Sequence, residues 1–287
     1  MIAHVDRCAT SRHERRGVAL VVVLWTVALL ATVTAAASSA SRTSAAIAIN
    51  LRAQATARSM AESGIVAASA IIDDSLRVLV GDRAKRDAFL GRLEPTMTGA
   101  LPLLQDTLAD GVFAVTVVDV SARLDINNAG ADGLARLFST VTSPTNARAM
   151  AERIDAVVLG DESGLRDARM RARDSLAAVL LGRDVSPRQR RPFESLDALR
   201  DVLGLDLSVL AQVAPFLTVD GDGTINRRAA SREVLASASG SLVDAPTRLL
   251  LIARGWQRGH PLSRQIEAVF DVADDGLHLV RWRERDL

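Results

Sequence analysis

The chain has 287 residues, 48% hydrophobic and 24% charged, which fits one or two globular domains of ordinary composition together with an anchor. Aromatic residues make up 3% with no Tyr, so a core has to rest on Leu, Val, Ala and Ile. With residues 1–17 set aside as a leader, 31 basic residues face 32 acidic ones, a net charge of −1 that excludes a global basic field for nucleic acid. The single cysteine, Cys8, precedes the first apolar run, so without the leader no thiol and no disulfide remain.

Arg15-Arg16-Gly17 leads into an apolar run that starts at Val18, and no charge occurs from there until Arg42. About 20 apolar residues suffice to cross a bilayer as a helix. Val18 to Ala37 meets that length without surplus, and the arginines before it predict a cytoplasmic N-terminus. Three leaders fit this stretch. A cleaved signal peptide would use Ala35-Ala36-Ala37, a signal-anchor would stay uncut, and a type IV prepilin leader would be cut between Gly17 and Val18.

Helical character continues past the anchor. From Arg42 to Leu79 there is no Pro, Ala is abundant, and Gly64 is the only glycine. A helix from Val18 to Leu79 would measure about 90 Å. Ile47, Leu51, Ala55, Ile65, Ala68, Ile72, Leu76 and Leu79 follow mostly three- and four-residue steps, which predicts one buried stripe. Residues 81–111 read as a surface segment with a short helix over Arg83–Arg92 and breakers at Pro95, Gly99 and Pro102.

Gly111–Val120 is β-branched and apolar, a strand by length and content. The periodicity then turns helical, with expected helices over Gly133–Phe138, Asn146–Leu159, Leu165–Leu181, Ser195–Leu203 and Ser208–Ala214. Ser143-Pro144 supplies a helix start. After Pro246 strands return over Thr247–Arg254, Arg264–Val272 and Leu277–Arg283, the last two joined by the hairpin turn Asp274-Asp275-Gly276. One strand therefore precedes a helical block and three follow it. The expected fold class is α+β: a long N-terminal transmembrane helix packed on a small antiparallel sheet, with a large all-helical insertion.

A repeat flanks that insertion. Leu124–Leu134 aligns with Ile225–Leu235 at an offset of 101, each placing an extended dipeptide and a turn before a helix start. Asn is suited to such a site because its side chain can bond the backbone at a turn or cap.

These features resemble the K-type minor pseudopilin of bacterial type II secretion systems over nearly the whole chain. The stretches that carry the resemblance are Arg16–Trp25, Ala61–Ile65, Asp119–Ala129, Phe193–Leu199 and Gly204–Thr218. The resemblance implies a pilin-like sheet with a helical insertion, cleavage after Gly17 by prepilin peptidase, and N-methylation of Val18. It implies I- and J-type minor pseudopilins and the inner-membrane secretion platform as partners, at the tip of a short periplasmic filament that helps to export folded proteins. The location implied is the bacterial inner membrane, single-pass, with the C-terminal domain periplasmic. The domains on this reading are a cleaved leader (1–17), a transmembrane helix (18–40), a continuing helix and connecting segment (41–111), a pilin-like sheet (112–124 plus 244–287) and the insertion (125–243).

Val22 occupies the fifth mature position, where major pilins carry a Glu that neutralises the charged N-terminus of a neighbour. Without that carboxylate, Val22 and Val18 would pack in the membrane at a filament end, because a buried unpaired ammonium is costly. The chain also departs from the family pattern. Of the acidic stretch associated with calcium, Val157–Gly164 keeps only Asp161 and Glu162 and has no Trp. Asp220 and Asp222 sit in a loop that lacks the first Asp and the closing Glu of an EF-hand, so a solvated acidic turn is expected there rather than calcium. Arg227-Arg228 stands in the second arm where the family is more often apolar and Asn.

No catalytic constellation is present in the sequence: His260 and His278 fall in or near strands, and there is neither a phosphate loop nor a nucleophile elbow. The expectation is a non-enzymatic assembly protein with no cofactor beyond the incomplete calcium sets. A second reading is a membrane-tethered DNA binder, since Ile126–Ala129 followed by helices also resembles helix-hairpin-helix modules of competence proteins. Its Gly-x-Gly hairpin is replaced by Ser139–Pro144, and Gly204-Leu205-Asp206 lacks the second Gly.

Overall fold

The structure is a computed structural model that describes residues 11–93, 97, 99–160, 192–203 and 207–286. The first helix, α1, runs over Ser11–Val78, as the absence of Pro and the wealth of Ala require. The chain divides into two units, Met1–Ala55 and Thr56–Leu287. In the first, α1 carries Leu20, Val22, Leu24, Trp25, Leu29 and Leu30 fully outward. This helix is long and apolar enough to cross a membrane.

In the second unit the later part of α1 buries Ala57, Ala61, Ile65, Ala68, Ile72 and Leu76. The stripe expected through Ala55 therefore changes phase: Ala55 is exposed, and Ala57 and Ala61 take the inward positions. The reason is the need for small residues under the sheet, described below. α1 ends in a turn, with Asp82 N–H donating to Leu79 O at 3.0 Å and Gly81 at φ +84°. The second helix, α2 (Arg83–Leu93), begins where Asp82 Oδ1 accepts from the Lys85 N–H at 3.0 Å, and it buries Leu90.

Five antiparallel strands form one sheet in the order β1-β2-β7-β8-β9. They are β1 (Leu104–Leu108), β2 (Gly111–Asp119), β7 (Arg248–Gln257), β8 (Ser263–Ala273) and β9 (Gly276–Asp286). Strand β1 lies in the stretch read as surface loop, so the expected four strands become five. It is an edge strand whose residues are mostly exposed, and an edge strand with no buried face leaves no alternation to read.

One sheet face meets α1. Phe113, Val115 and Val117 of β2, Leu249, Leu251 and Ala253 of β7, and Ile266, Ala268 and Phe270 of β8 form a core with the inward residues of that helix. The approach is close enough to demand glycine. A Cβ on Gly255 would run into Ala57 O and Ala61 N of the α1 backbone, and one on Gly64 would sit 3.0 Å from side-chain atoms of Phe113 and Val115. Asp73 Oδ1 accepts from the Leu277 N–H at 2.8 Å, which ties α1 to the edge strand β9.

The connection between β2 and β7 holds a second core. After a 3₁₀ turn (Val120–Ala122) come β3 (Leu124–Asp125), α3 (Gly130–Phe138) and α4 (Pro144–Val158). Further on are α5 (Ala198–Leu203), α6 (Leu207–Val213), a 3₁₀ turn (Ala214–Phe216), β4 (Leu217–Thr218), β5 (Ile225–Asn226), α7 (Arg232–Ser237) and β6 (Leu242–Val243). α4 starts at Ser143, whose Oγ accepts from the Asn146 N–H, with Pro144 as the first helical residue. Ala147, Ala151, Ile154 and Val158 of α4 pack against Leu134, Leu137 and Phe138 of α3. The helix expected over Leu165–Leu181 lies outside the described residues.

The insertion is not all-helical. β3 pairs with β4 and β5 with β6, each a parallel ladder of two residues against two. Strands this short carry no periodicity of their own, and pairing partners far along the chain create them. The fold is thus α+β, a long N-terminal helix that packs its later part on an antiparallel sheet, with a second core inserted between the second and third strands of the five-stranded sheet.

Candidate functional site

The two arms of the repeat build the same turn. In the first, Asp125 Oδ1 accepts from the Asn127 N–H at 3.0 Å and Asp125 O from the Ala129 N–H at 2.8 Å. In the second, Asn226 Oδ1 accepts from the Arg228 N–H at 3.1 Å and Asn226 O from the Ala230 N–H at 2.9 Å. Each arm also gives one backbone donor to its parallel partner, Ile126 to Thr218 O at 3.0 Å and Arg227 to Val243 O at 2.9 Å. A side-chain oxygen at the second position is what the turn requires, and Asp and Asn both supply one.

Beyond the turn the arms differ. Asn127 bridges the insertion through three bonds: Nδ2 donates to Phe193 O at 3.1 Å and Val219 O at 3.2 Å, and Oδ1 accepts from the Phe193 N–H at 2.7 Å. Asn226 reaches the sheet instead, its Nδ2 donating to Asp119 Oδ2 at 2.7 Å. Asp119 Oδ1 accepts from the N–H and hydroxyl of Ser121 at 2.9 and 2.5 Å. Burial pushes the carboxyls of Asp119 and Asp125 above the usual range, against the pull of these hydrogen bonds. Arg227 pairs with Asp244, whose carboxyl is held low by that guanidinium.

The other junction between sheet and insertion is ionic. Asp220, nearly buried, accepts from Arg281 Nη1 at 3.0 Å and Arg283 Nη2 at 2.6 Å. Arg283 Nη2 also lies 3.1 Å from Glu267 Oε2, and Arg285 Nε lies 3.0 Å from Glu267 Oε1. Arg248 donates to the backbone oxygens of Asp220 and Gly221 at 2.8 Å each, and to Asp271 Oδ1 at 2.6 Å. Three arginines on one face of β9 thus hold one carboxylate from β8 and one from the insertion. The spacing of Arg281, Arg283 and Arg285 was the available signal in the sequence. Their same-face acid, Glu267, lies on the neighbouring strand, and Asp220 is some sixty residues distant.

These placements bear on the residues singled out in the sequence. Gly17 and Val18 lie in α1, and Val22 is exposed on it. Asp161 and Glu162 lie outside the described residues. Asp220 and Asp222 are not brought together as cation ligands. Both carboxylate oxygens of Asp220 face guanidinium groups, and Asp222 Oδ1 accepts from the N–H and hydroxyl of Thr224 at 2.9 and 2.6 Å. Burial raises the Asp222 carboxyl, but the Thr224 bonds outweigh it and hold the group low. Among the described residues no group of three His, Cys, Asp or Glu side chains could hold a metal ion. His278 is exposed at the β8–β9 turn with Nε2 2.7 Å from Asp275 Oδ1, an interaction that raises its pKa. The arrangement is suited to fixing the insertion on the sheet by hydrogen bonds and charge.

No protein-family profile matches the chain. No curated protein matches it either. Among solved structures, it is similar to the crystal structure of the GspK-GspI-GspJ complex from the enterotoxigenic Escherichia coli type 2 secretion system. The TM-score is 0.47 and the sequence identity 12%, with 79% of this chain and 99% of that chain covered.

Proposed function

We propose that the chain is a K-type minor pseudopilin, a structural subunit of a type II secretion pseudopilus tip. One observation carries the reading: α1 combines an outward-facing apolar segment with a later part that forms the floor of an antiparallel sheet. A single helix of that kind can anchor a subunit in a bilayer and present its head on the far side. The insertion supports a place at an end, because a second core between β2 and β7 would obstruct further stacking. In this role Gly17–Val18 is the processing site, Val22 removes the carboxylate that a subunit above would need, and I- and J-type minor pseudopilins are the partners.

Co-expression with prepilin peptidase tests this reading. Intact mass is expected to fall by the 17 leader residues, and Gly17→Leu should prevent it. Cleavage near Ala37 would sink the proposal. Copurification of the full chain with I- and J-type partners then examines the tip role.

A further inference from the structure

A cavity of about 400 Å³ opens where the sheet passes into the insertion, between the end of β2 and the second arm of the repeat. Two arginines line it. Arg123 follows the first 3₁₀ turn, its N–H donating to Val120 O at 3.1 Å, and Arg228 sits in the turn fixed by Asn226. Both backbones are therefore held, and both guanidinium groups are rooted at the cavity wall. Neither guanidinium makes a hydrogen bond or salt bridge among the described residues. This contrasts with Arg227 beside it, which Asp244 neutralises.

Asp119 also lines the cavity, but its oxygens are committed to Ser121 and Asn226. Its charge only partly offsets the burial that lowers the Arg123 pKa. Arg123 is half-buried and Arg228 exposed, and a half-buried guanidinium without a hydrogen-bonded partner is an unfavourable state that an incoming anion would relieve. The remaining wall includes Met97, Pro215 and Phe216, which offer apolar surface and no donor from a side chain; Ser231, whose Oγ accepts from the Val234 N–H, adds one hydroxyl at the edge of the second arm. A phosphate, with polar oxygens on every side, would leave some of them against that wall. A carboxylate directs its oxygens one way and leaves a carbon body for the apolar side.

We propose that this cavity binds a carboxylate carried on a short apolar body, with Arg123 and Arg228 as its cationic contacts. Arg228 stands where the first arm has Asn127, so the second arm exchanges an internal bridge for a cation without a hydrogen-bonded partner, with the Asp244 charge nearby. The inference does not depend on the assembly role.

The test is isothermal titration of the full chain in non-ionic detergent, with the heats of protein-free micelles subtracted. The probes are phenylacetate, uncharged phenylacetamide and inorganic phosphate. Phenylacetate should bind at least about tenfold more tightly than phenylacetamide, since a hydrogen bond to a charged group contributes about 1.5–3 kcal/mol. Arg123→Gln and Arg228→Gln should each weaken phenylacetate by about tenfold on the same grounds. Should Arg123→Gln fail to fold, Arg123→Lys keeps the charge without the fork and should show an intermediate loss. A tetrapeptide ending in Phe that competes would identify a chain terminus as the source of the acid. Failure of that peptide alone would leave a free small acid, and both outcomes uphold the site. Equal binding of phenylacetamide, phosphate binding as tight as phenylacetate, or no binding of any probe would overturn it.

Discussion

In the main sheet nine residues of β2 pair with nine of β7, and the inner side chains of both strands rest on one helix. In the insertion each parallel ladder joins only two residues to two, and the chain turns away at once. The sheet satisfies its backbone with its own ladders and brings α1 close by omitting a side chain at Gly255. The insertion satisfies much of its backbone with side chains, above all Asp125, Asn127 and Asn226. Each half is therefore vulnerable in its own way. A long ladder tolerates the loss of one side chain but not a wedge between its layers, whereas a short ladder fails when one polar side chain is removed.

Wedging the layers should have the largest effect. Gly255→Ala places a methyl against the α1 backbone and should cost roughly 3 kcal/mol in denaturant unfolding. Gly91→Ala, at a glycine with open space around it in α2, should be neutral or stabilise by up to about 1 kcal/mol. Equal losses at the two sites would break the contrast. Next, Asn127→Ala removes three bonds at once and leaves the Phe193 and Val219 backbone groups unpaired, at about 2 kcal/mol. Hydrogen exchange should show the loosening in the insertion while β7 and β8 stay protected; uniform loosening would mean that the two cores are not separable. Ser143→Ala deletes the cap of α4 and should cost about 1 kcal/mol by the same measurement.

The subtlest effect is a pH dependence at the seam of the two halves. The folded Asp119 carboxyl is raised above its ordinary 3.8, so the native state binds its proton more readily than the unfolded state does. Its contribution to stability therefore falls as pH rises through the window above 3.8 and is recovered on acidification. The stability of the natural chain relative to Asp119→Asn should grow as pH falls toward 3.8. A difference that stays flat across this range would show that Asp119 titrates alike in the two states.

Much of the helix–sheet half was legible because its signals are local. Alternation at Ile266, Ala268 and Phe270 matches the face that meets α1, and Asp274-Asp275-Gly276 does close the β8–β9 hairpin. The repeat was legible as well, since an Asx turn is set by a side chain and a backbone two residues apart. Strand β1 was not, because an exposed edge needs no alternation. Glu267 alternates with Ile266 and Ala268 and so falls on the face away from α1, but that face is covered, and arginines of β9 neutralise it. Asp220 was expected in a solvated acidic turn but is buried, because its partners Arg281 and Arg283 lie 61 and 63 residues further on.

The apolar helix, the strand periodicities and the two turn motifs follow from the chain's local order, because each depends on residues within a few positions of one another. Tertiary contacts were needed to settle which glycine lets helix and sheet meet, which carboxylates the arginines of β9 neutralise, and which two arginines line the cavity beside Asp119. Those outcomes depend on distances between segments far apart in the chain, and on the desolvation that follows when the segments close over a charge.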